Sequence, residues 1–170
     1  MLIIEYKGFK DKNSYLRKIH PYHLKQYNNR WFLFGLEESE KYTGITNLAL
    51  DRIQEITETI EEIKQNTINW GDFFDEMIGV SRPQDQDAVE VKLRFSKSRI
   101  PYVLTKPIHG ASQRVDKSDP EGRTIIIEVL PNNELYQTLL SFGADVEVLS
   151  PDIIVSEMQQ IVVELNKKYL

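Results

Sequence analysis

An α+β protein in successive parts is predicted by two observations. Residues 1–57 carry short β-forming runs broken by turn residues, and residues 88–170 alternate strand-type and helix-type periods. The sharpest local signal lies in the first part. Asn28-Asn29 is a two-residue turn that tolerates positive φ, and so favours a tight hairpin. The strand leaving it is apolar on both faces, Trp31 and Leu33 pointing one way and Phe32, Phe34 and Leu36 the other. A short strand that is greasy on both sides must be covered on both sides, as in a small barrel with something packed outside it.

Along the first part, Met1-Lys7 reads as a strand and Gly8-Asn13 as a polar connection. Tyr15-Ile19, Tyr22-Tyr27 and Arg30-Leu36 read as strands, Glu37-Glu40 as a charged turn, and a last strand runs from Thr46 to about Thr57. Pro21, between two of these runs, suits a bend or an edge position. So many short strands in so few residues predict a small β-barrel of the SH3 or Sm type.

Residues 58–87 are read as a connector. Ile56, Ile60 and Ile63 permit a helical turn or two, and Trp70, Phe73, Phe74, Met77 and Ile78 form a helical stripe stopped at Gly79. The segment from Ser81 to Asp87 is the expected linker.

In residues 88–170, Val89, Val91, Leu93 and Phe95 share one face of a strand. Ser96 is placed to cap a helix over Lys97-Thr105, which Pro101 disturbs. Ser112-Lys117 and Arg123-Leu130 pair across a Pro-Gly turn. A helix over Asn133-Phe142, a strand over Ala144-Leu149 and a long amphipathic helix from Pro151 to about Lys168 follow. The order β-α-β-β-α-β-α predicts an antiparallel sheet with helices on one face, a ferredoxin-like arrangement.

Composition narrows the function classes. No apolar run approaches the length of a membrane span, and the N-terminus lacks a signal peptide's basic n-region, so a cytoplasmic protein fits best. The absence of cysteine excludes disulfides, thiolate zinc sites and cysteine nucleophiles. The net charge of -5 hides an asymmetry, with +5 over residues 1–35 and -10 over the rest. A basic N-terminal third on an acidic body points to an anion-binding face or, equally, to lysines that decorate loops.

No catalytic constellation emerges. His20 and His23, three apart on a predicted strand, are expected on opposite faces and unable to share a metal. There is no Gly-rich phosphate loop and no Gly-x-Ser-x-Gly elbow. We expect no enzyme, no cofactor and no metal. What remains are groups suited to an anion or a flat ring: Arg17, Lys18, His20 and Tyr22 around Pro21, and Arg52 beside Asp51. Tyr6, Tyr15, Tyr22 or Trp31 could stack on a nucleobase. On pattern alone Trp31 favours the core, and Arg52 reads equally as a ligand contact or an ion-pair member.

Residues 4–57 resemble the WYL domain of bacterial transcriptional regulators. The resemblance rests on Ile4-Glu5-Tyr6, Arg17-x-x-x-Pro21, the tripeptide Trp31-Phe32-Leu33 and Leu50-Asp51-Arg52-Ile53. Residues 88–168 resemble the C-terminal extension domain that follows it, most clearly from Gly143 to Pro151. The resemblance implies an Sm-like barrel that senses a ligand or binds nucleic acid, normally behind a winged helix-turn-helix that binds operator DNA. Three departures stand out. No helix-turn-helix pattern precedes the barrel, so operator DNA is expected only through a domain absent from this chain. Thr46 and Ala49 stand where the family usually places arginines, and Phe32 replaces the tyrosine.

The expected function is thus an effector-sensing regulatory module. Its pocket is built from Arg17, His20, Tyr22 and Arg52, with Tyr6, Lys18 and Trp31 as a second tier. Its expected partners are an anionic small molecule, a nucleotide or single-stranded nucleic acid, and a homodimer is the default assembly. Two alternatives stay open: an oligomerisation module without a ligand, using the C-terminal helix, and an RNA-binding Sm-like ring.

Overall fold

Asn28 and Asn29 adopt φ of 47° and 60°, the left-handed pair a tight hairpin needs, and turn β2 (Tyr15–Tyr27) into β3 (Arg30–Glu38). The computed structural model describes residues 1–40 and 42–170. It is a mixed α and β structure with antiparallel sheets, in two units, Met1–Trp70 and Gly71–Leu170. In the first unit β1 (Leu2–Tyr6), β4 (Thr43–Ala49) and β5 (Ile53–Glu58) complete an antiparallel sheet of order β4-β3-β2-β1-β5.

Two strand expectations change here. Tyr15-Ile19 and Tyr22-Tyr27 form one strand, because a register irregularity between Pro21 and His23 absorbs the proline without ending the pairing. The predicted last strand is instead two, split by a single 3₁₀ turn, Leu50–Arg52. That turn constrains the whole unit. β4 and β5 lie at opposite edges of a five-stranded sheet, which would be about 19 Å apart if flat. The link from Ala49 to Ile53 reaches at most about 14 Å, so the sheet must curl.

The irregularity also reverses a side-chain assignment. His20 lies opposite Leu36 and His23 opposite Phe34, which are two apart on β3. Both histidines therefore share the outer face, where simple alternation separates them. Trp70 covers that face, its ring stacked 5.0 Å from His23 and edge-on 5.9 Å from Phe34. The inner face buries Ile4, Tyr6, Ile19, Leu33 and Leu48. Apart from the exposed Trp31, the double-sided apolar strand is covered on both sides.

The connector departs further from expectation. Ile56 belongs to β5, and residues 59–69 form no regular element. The predicted helix through Ile78 is shorter, α1 (Trp70–Asp75), although Gly79 does take a positive φ of 86°.

The second unit runs β6 (Val89–Phe95), α2 (Ile100–Thr105), β7 (Arg114–Val115), β8 (Thr124–Val129), α3 (Asn133–Leu140), β9 (Val146–Ser150) and α4 (Asp152–Tyr169). Its antiparallel sheet has the order β7-β8-β6-β9. Val91, Leu93, Phe95, Ile125 and Ile127 build the core with Leu135 and Leu139 of α3 and Ile154 of α4. Pro101 falls in the first turn of α2, where a missing N–H costs nothing, so the helix begins later than predicted. Asn132 caps α3: its side-chain oxygen accepts from the Leu135 N–H, and its Nδ2 donates to the Ile78 and Ser81 carbonyls.

Gly35 lies opposite Pro21, where the chains approach closely. A Cβ there would stand 2.4 Å from the His20 carbonyl oxygen and 2.7 Å from Ile19 Cγ2. We expect Gly35→Ala to destabilise the first unit by about 1–3 kcal/mol, as overpacking does, measured by urea unfolding followed through Trp31 and Trp70 emission.

Candidate functional site

Strand register decides where each candidate side chain goes. Arg17 lies opposite Ile4 on the inner face, and its guanidinium is already engaged. Nε donates to Glu37 at 2.8 Å, while Nη2 donates to the same carboxylate and to Thr46 Oγ1 at 2.8 Å. The pair is largely buried, its side chains 14% and 11% exposed. Burial disfavours the Arg17 charge, but the hydrogen bond and negative charge of Glu37 outweigh it, and the guanidinium titrates above its ordinary value. Thr46 thus accepts a hydrogen bond from Arg17 at a position where an arginine was expected. Tyr6 lies beside this pair, its ring centroid 5.8 Å from Arg17 Cζ and edge-on to Tyr15 at 6.1 Å.

His20 faces the other way and is buried. The Lys64 N–H donates to Nδ1 at 3.1 Å, which leaves Nε2 to carry the proton and donate to Glu38 at 3.2 Å. Lys64 also pairs with Glu38. These contacts, Lys64 first and His20 second, hold Glu38 below the usual carboxylate range. Tyr22 sits near the same group, its phenol pushed up by burial and then by Glu38. The four residues expected in one pocket are therefore divided, with Arg17 and His20 on opposite faces of the same strand.

Lys18 lines a cleft of about 490 Å³ with Met1, Ile3, Leu16, Arg17 and the segment Glu38-Ser39-Glu40, closed by Glu61. Glu38, Glu40 and Glu61 balance Arg17, Lys18 and the Met1 ammonium, so the cleft has no excess positive charge to seat an anion. Trp31, which alternation assigns to the core, is 47% exposed.

Arg52 differs from every other arginine. Arg17, Arg30, Arg82, Arg94, Arg99, Arg114 and Arg123 each meet a carboxylate. Among the described residues Arg52 meets none, and its Nε–H is buried without a hydrogen-bond partner. The 3₁₀ turn holds it beside β1, through the Lys7 N–H donating to its carbonyl at 3.1 Å. Its Cζ lies 4.1 Å from the ring centroid of Phe9. Arg30 Cζ lies 5.6 Å from the same ring, and Arg30 Nε lies 3.2 Å from Asp51. Sequence reading passed over Phe9 and Arg30. The available signal was one aromatic residue inside the polar, lysine-bearing loop Gly8-Asn13.

In the second unit, Ser112 Oγ lies 2.7 Å from His109 Nδ1, a spacing that invites a nucleophilic reading. The hydroxyl is already committed. It accepts from the Glu128 N–H at 2.8 Å and its oxygen lies 3.1 Å from the Glu128 carbonyl. Among the described residues no cluster of three or more His, Asp or Glu side chains could hold a metal, and no helix is long and apolar enough to cross a membrane.

Residues 1–58 match the WYL domain and residues 87–165 the WCX domain. The crystal structure of a CRISPR Cas-related protein aligns over 99% of this chain and 47% of its own, with a TM-score of 0.59 and 14% sequence identity. This likeness concerns the fold alone. Proteasome accessory factor B/C of Arthrobacter aurescens aligns over 92% of this chain and 23% of its own, with a TM-score of 0.35 and 18% identity. The chain thus spans less than half of either neighbour. A search of curated proteins returns no match.

His109 gives the second unit a pH signature. Burial pushes its imidazole below the ordinary value, with Asp75 opposing. The unfolded chain then takes up a proton that the folded chain resists, so stability falls as pH drops below about 6.5. Calorimetric melts from pH 8 to 5.5 are expected to show this loss in the wild type and a flatter profile in His109→Gln. Equal slopes would remove His109 from it.

Proposed function

From a chain that carries a WYL domain followed by a WCX domain, we propose a ligand-sensing regulatory module, non-catalytic, whose first unit binds an anionic or nucleotide-like ligand at Arg52. The unpartnered Arg52 guanidinium carries this reading. An arginine left without a carboxylate, in a chain where the others have one, is a cation held for something outside the chain. Lys7, Lys10 and Lys12 precede and share the neighbouring loop, and Asp11 and Asp51 only partly offset them. Tyr6 and Arg17 pack against one another around the Arg17–Glu37 pair and are not part of this site. His20, Tyr22 and Lys18 form an outer group, and Trp31 is exposed enough to report binding.

Two architectural readings go with this proposal. The strand order of the first unit and its single 3₁₀ turn support an Sm-like barrel. The order β7-β8-β6-β9 with crossovers through α2 and α3 supports a ferredoxin-like second unit. A cytoplasmic homodimer is the assembly proposed, and operator DNA enters only through a helix-turn-helix outside these residues.

A second reading, self-association without any ligand, rests on α4. Ile153, Val162, Val163 and Leu165 are exposed apolar residues on one helix. Salt separates the two readings, since anion binding weakens steeply with added salt and apolar association does not.

Trp31 emission titrated with ATP and with oligothymidylate tests the proposal. Arg52→Ala is expected to weaken binding roughly 10- to 100-fold, the range of a charge-assisted hydrogen bond. Replacing the internal pair together, Arg17→Met with Glu37→Leu, leaves no orphan charge, and binding is expected to stay within about threefold of wild type. Tight binding by Arg52→Ala would defeat the proposal.

A further inference from the structure

Phe9 has the wrong exposure for an ordinary aromatic residue. Its ring is 75% exposed, in a loop that is otherwise polar. It packs nonetheless against two cations, Arg52 Cζ at 4.1 Å and Arg30 Cζ at 5.6 Å from its centroid. Both distances are to one ring, which keeps the two guanidinium groups within about 10 Å of one another. Exposed large rings without a core or partner lose solvation for little gain, whereas a ring against a guanidinium face gains cation–π attraction.

The geometry around Arg52 then selects how it could bind. A guanidinium has two flat faces and an edge of five N–H donors. Phe9 lies against it at stacking distance, and Nε is sealed from solvent. With Nε sealed and one face covered, the two Nη atoms, which make no hydrogen bond among the described residues, form the donor fork open to a ligand. A fork held in that way matches the two oxygens of a phosphoryl or carboxylate group. Arg30, partly neutralised by Asp51, adds further donors near the same ring rather than a full second charge. Its own Nε is occupied by Asp51, which fixes its position without using up its remaining donors.

We infer that Phe9, Arg52 and Arg30 form an oxyanion seat in which the Phe9 ring orients the Arg52 fork toward the phosphoryl or carboxylate head of the ligand. The inference rests on the Arg52 reading above and deepens it in two ways. It adds Phe9 as a positioning residue and Arg30 as a source of further donors. It also states that the anionic head, rather than a stacked ring, is what the seat recognises.

Isothermal titration with inorganic pyrophosphate, oligothymidylate and uncharged thymidine tests it, using the full chain at low salt. Pyrophosphate and oligothymidylate should bind, with affinity falling as salt rises, and thymidine should not. Phe9→Ala should weaken pyrophosphate roughly three- to fivefold, the scale of an exposed cation–π contact. Phe9→Tyr, which keeps the ring, should restore it. Phe9 is exposed, so neither variant threatens the fold. Nitrogen-15 spectra give a second readout, in which the Arg52 Nε–H resonance should shift on adding pyrophosphate to wild type and lose that shift in Phe9→Ala.

The failures are distinguishable. If Arg52→Ala binds pyrophosphate as wild type does, the Arg52 reading itself falls. If Arg52→Ala loses binding while Phe9→Ala keeps it, the Arg52 reading stands and the role of Phe9 is overturned. Binding of thymidine that Phe9→Ala abolishes would make Phe9 a stacking platform and refute the oxyanion seat as stated.

Discussion

The first unit depends on one constraint of length. The chain must cross from one edge strand of a five-stranded sheet to the other through Leu50–Arg52 alone. Three residues cannot cross a flat sheet of that width, so the strands curl until the edges approach. The crossing brings Arg52 beside the start of the β1–β2 loop, where the Lys7 N–H donates to its carbonyl. Backbone closure, not any side-chain attraction, thus sets a guanidinium against Phe9. The same curl turns Ile4, Ile19, Leu33 and Leu48 inward to form the core, so the position of the candidate site and the burial of the core have a common origin.

Charge pairing follows from that closure. Arg17 points into the curl, where an unpaired cation would be costly, and Glu37 answers it from the neighbouring strand. His20 points outward and is satisfied by Glu38 and by the backbone of the connector. The arginines of the first unit are therefore of two kinds. Arg17 and Arg30 are each answered by a carboxylate, and among the described residues Arg52 of the crossing turn is not. A site for an anion requires the second kind, since a charge already neutralised gains little from another partner.

What the sequence made legible was mainly local. Asn28-Asn29 announced the hairpin because two successive residues that tolerate positive φ have few other uses between strands. The alternation of Val89, Val91, Leu93 and Phe95 announced β6, and the amphipathic run after Pro151 announced α4. The misses were register and distance. One irregular pairing at Pro21 moved His23 to the face of His20, a shift no alternation pattern encodes. Arg17 was read as available because its neutralising partner, Glu37, lies twenty residues away across a strand pair. Pro101 was read as a disturbance where it marks a helix start. Phe9 went unread because a single ring in a polar loop has no periodicity to betray it.

A sensing module needs more than affinity. A ligand shifts an equilibrium only by the difference between its affinities for the two states. Under the proposed reading Arg52 is the origin of that difference. Its Nε–H is desolvated without a partner in the free chain, a cost of about 1–3 kcal/mol for such a group, which the Phe9 contact only partly offsets. Arg52 projects from the crossing turn Leu50–Arg52, so on the same proposed reading an oxyanion on the fork would pull on that turn. That turn is the single covalent link between the edge strands β4 and β5. Ligand occupancy would then act where the curl of the sheet is set, and a small change in a three-residue turn reaches both edges of the unit at once. A lysine in place of Arg52 would keep the charge but lose the planar fork.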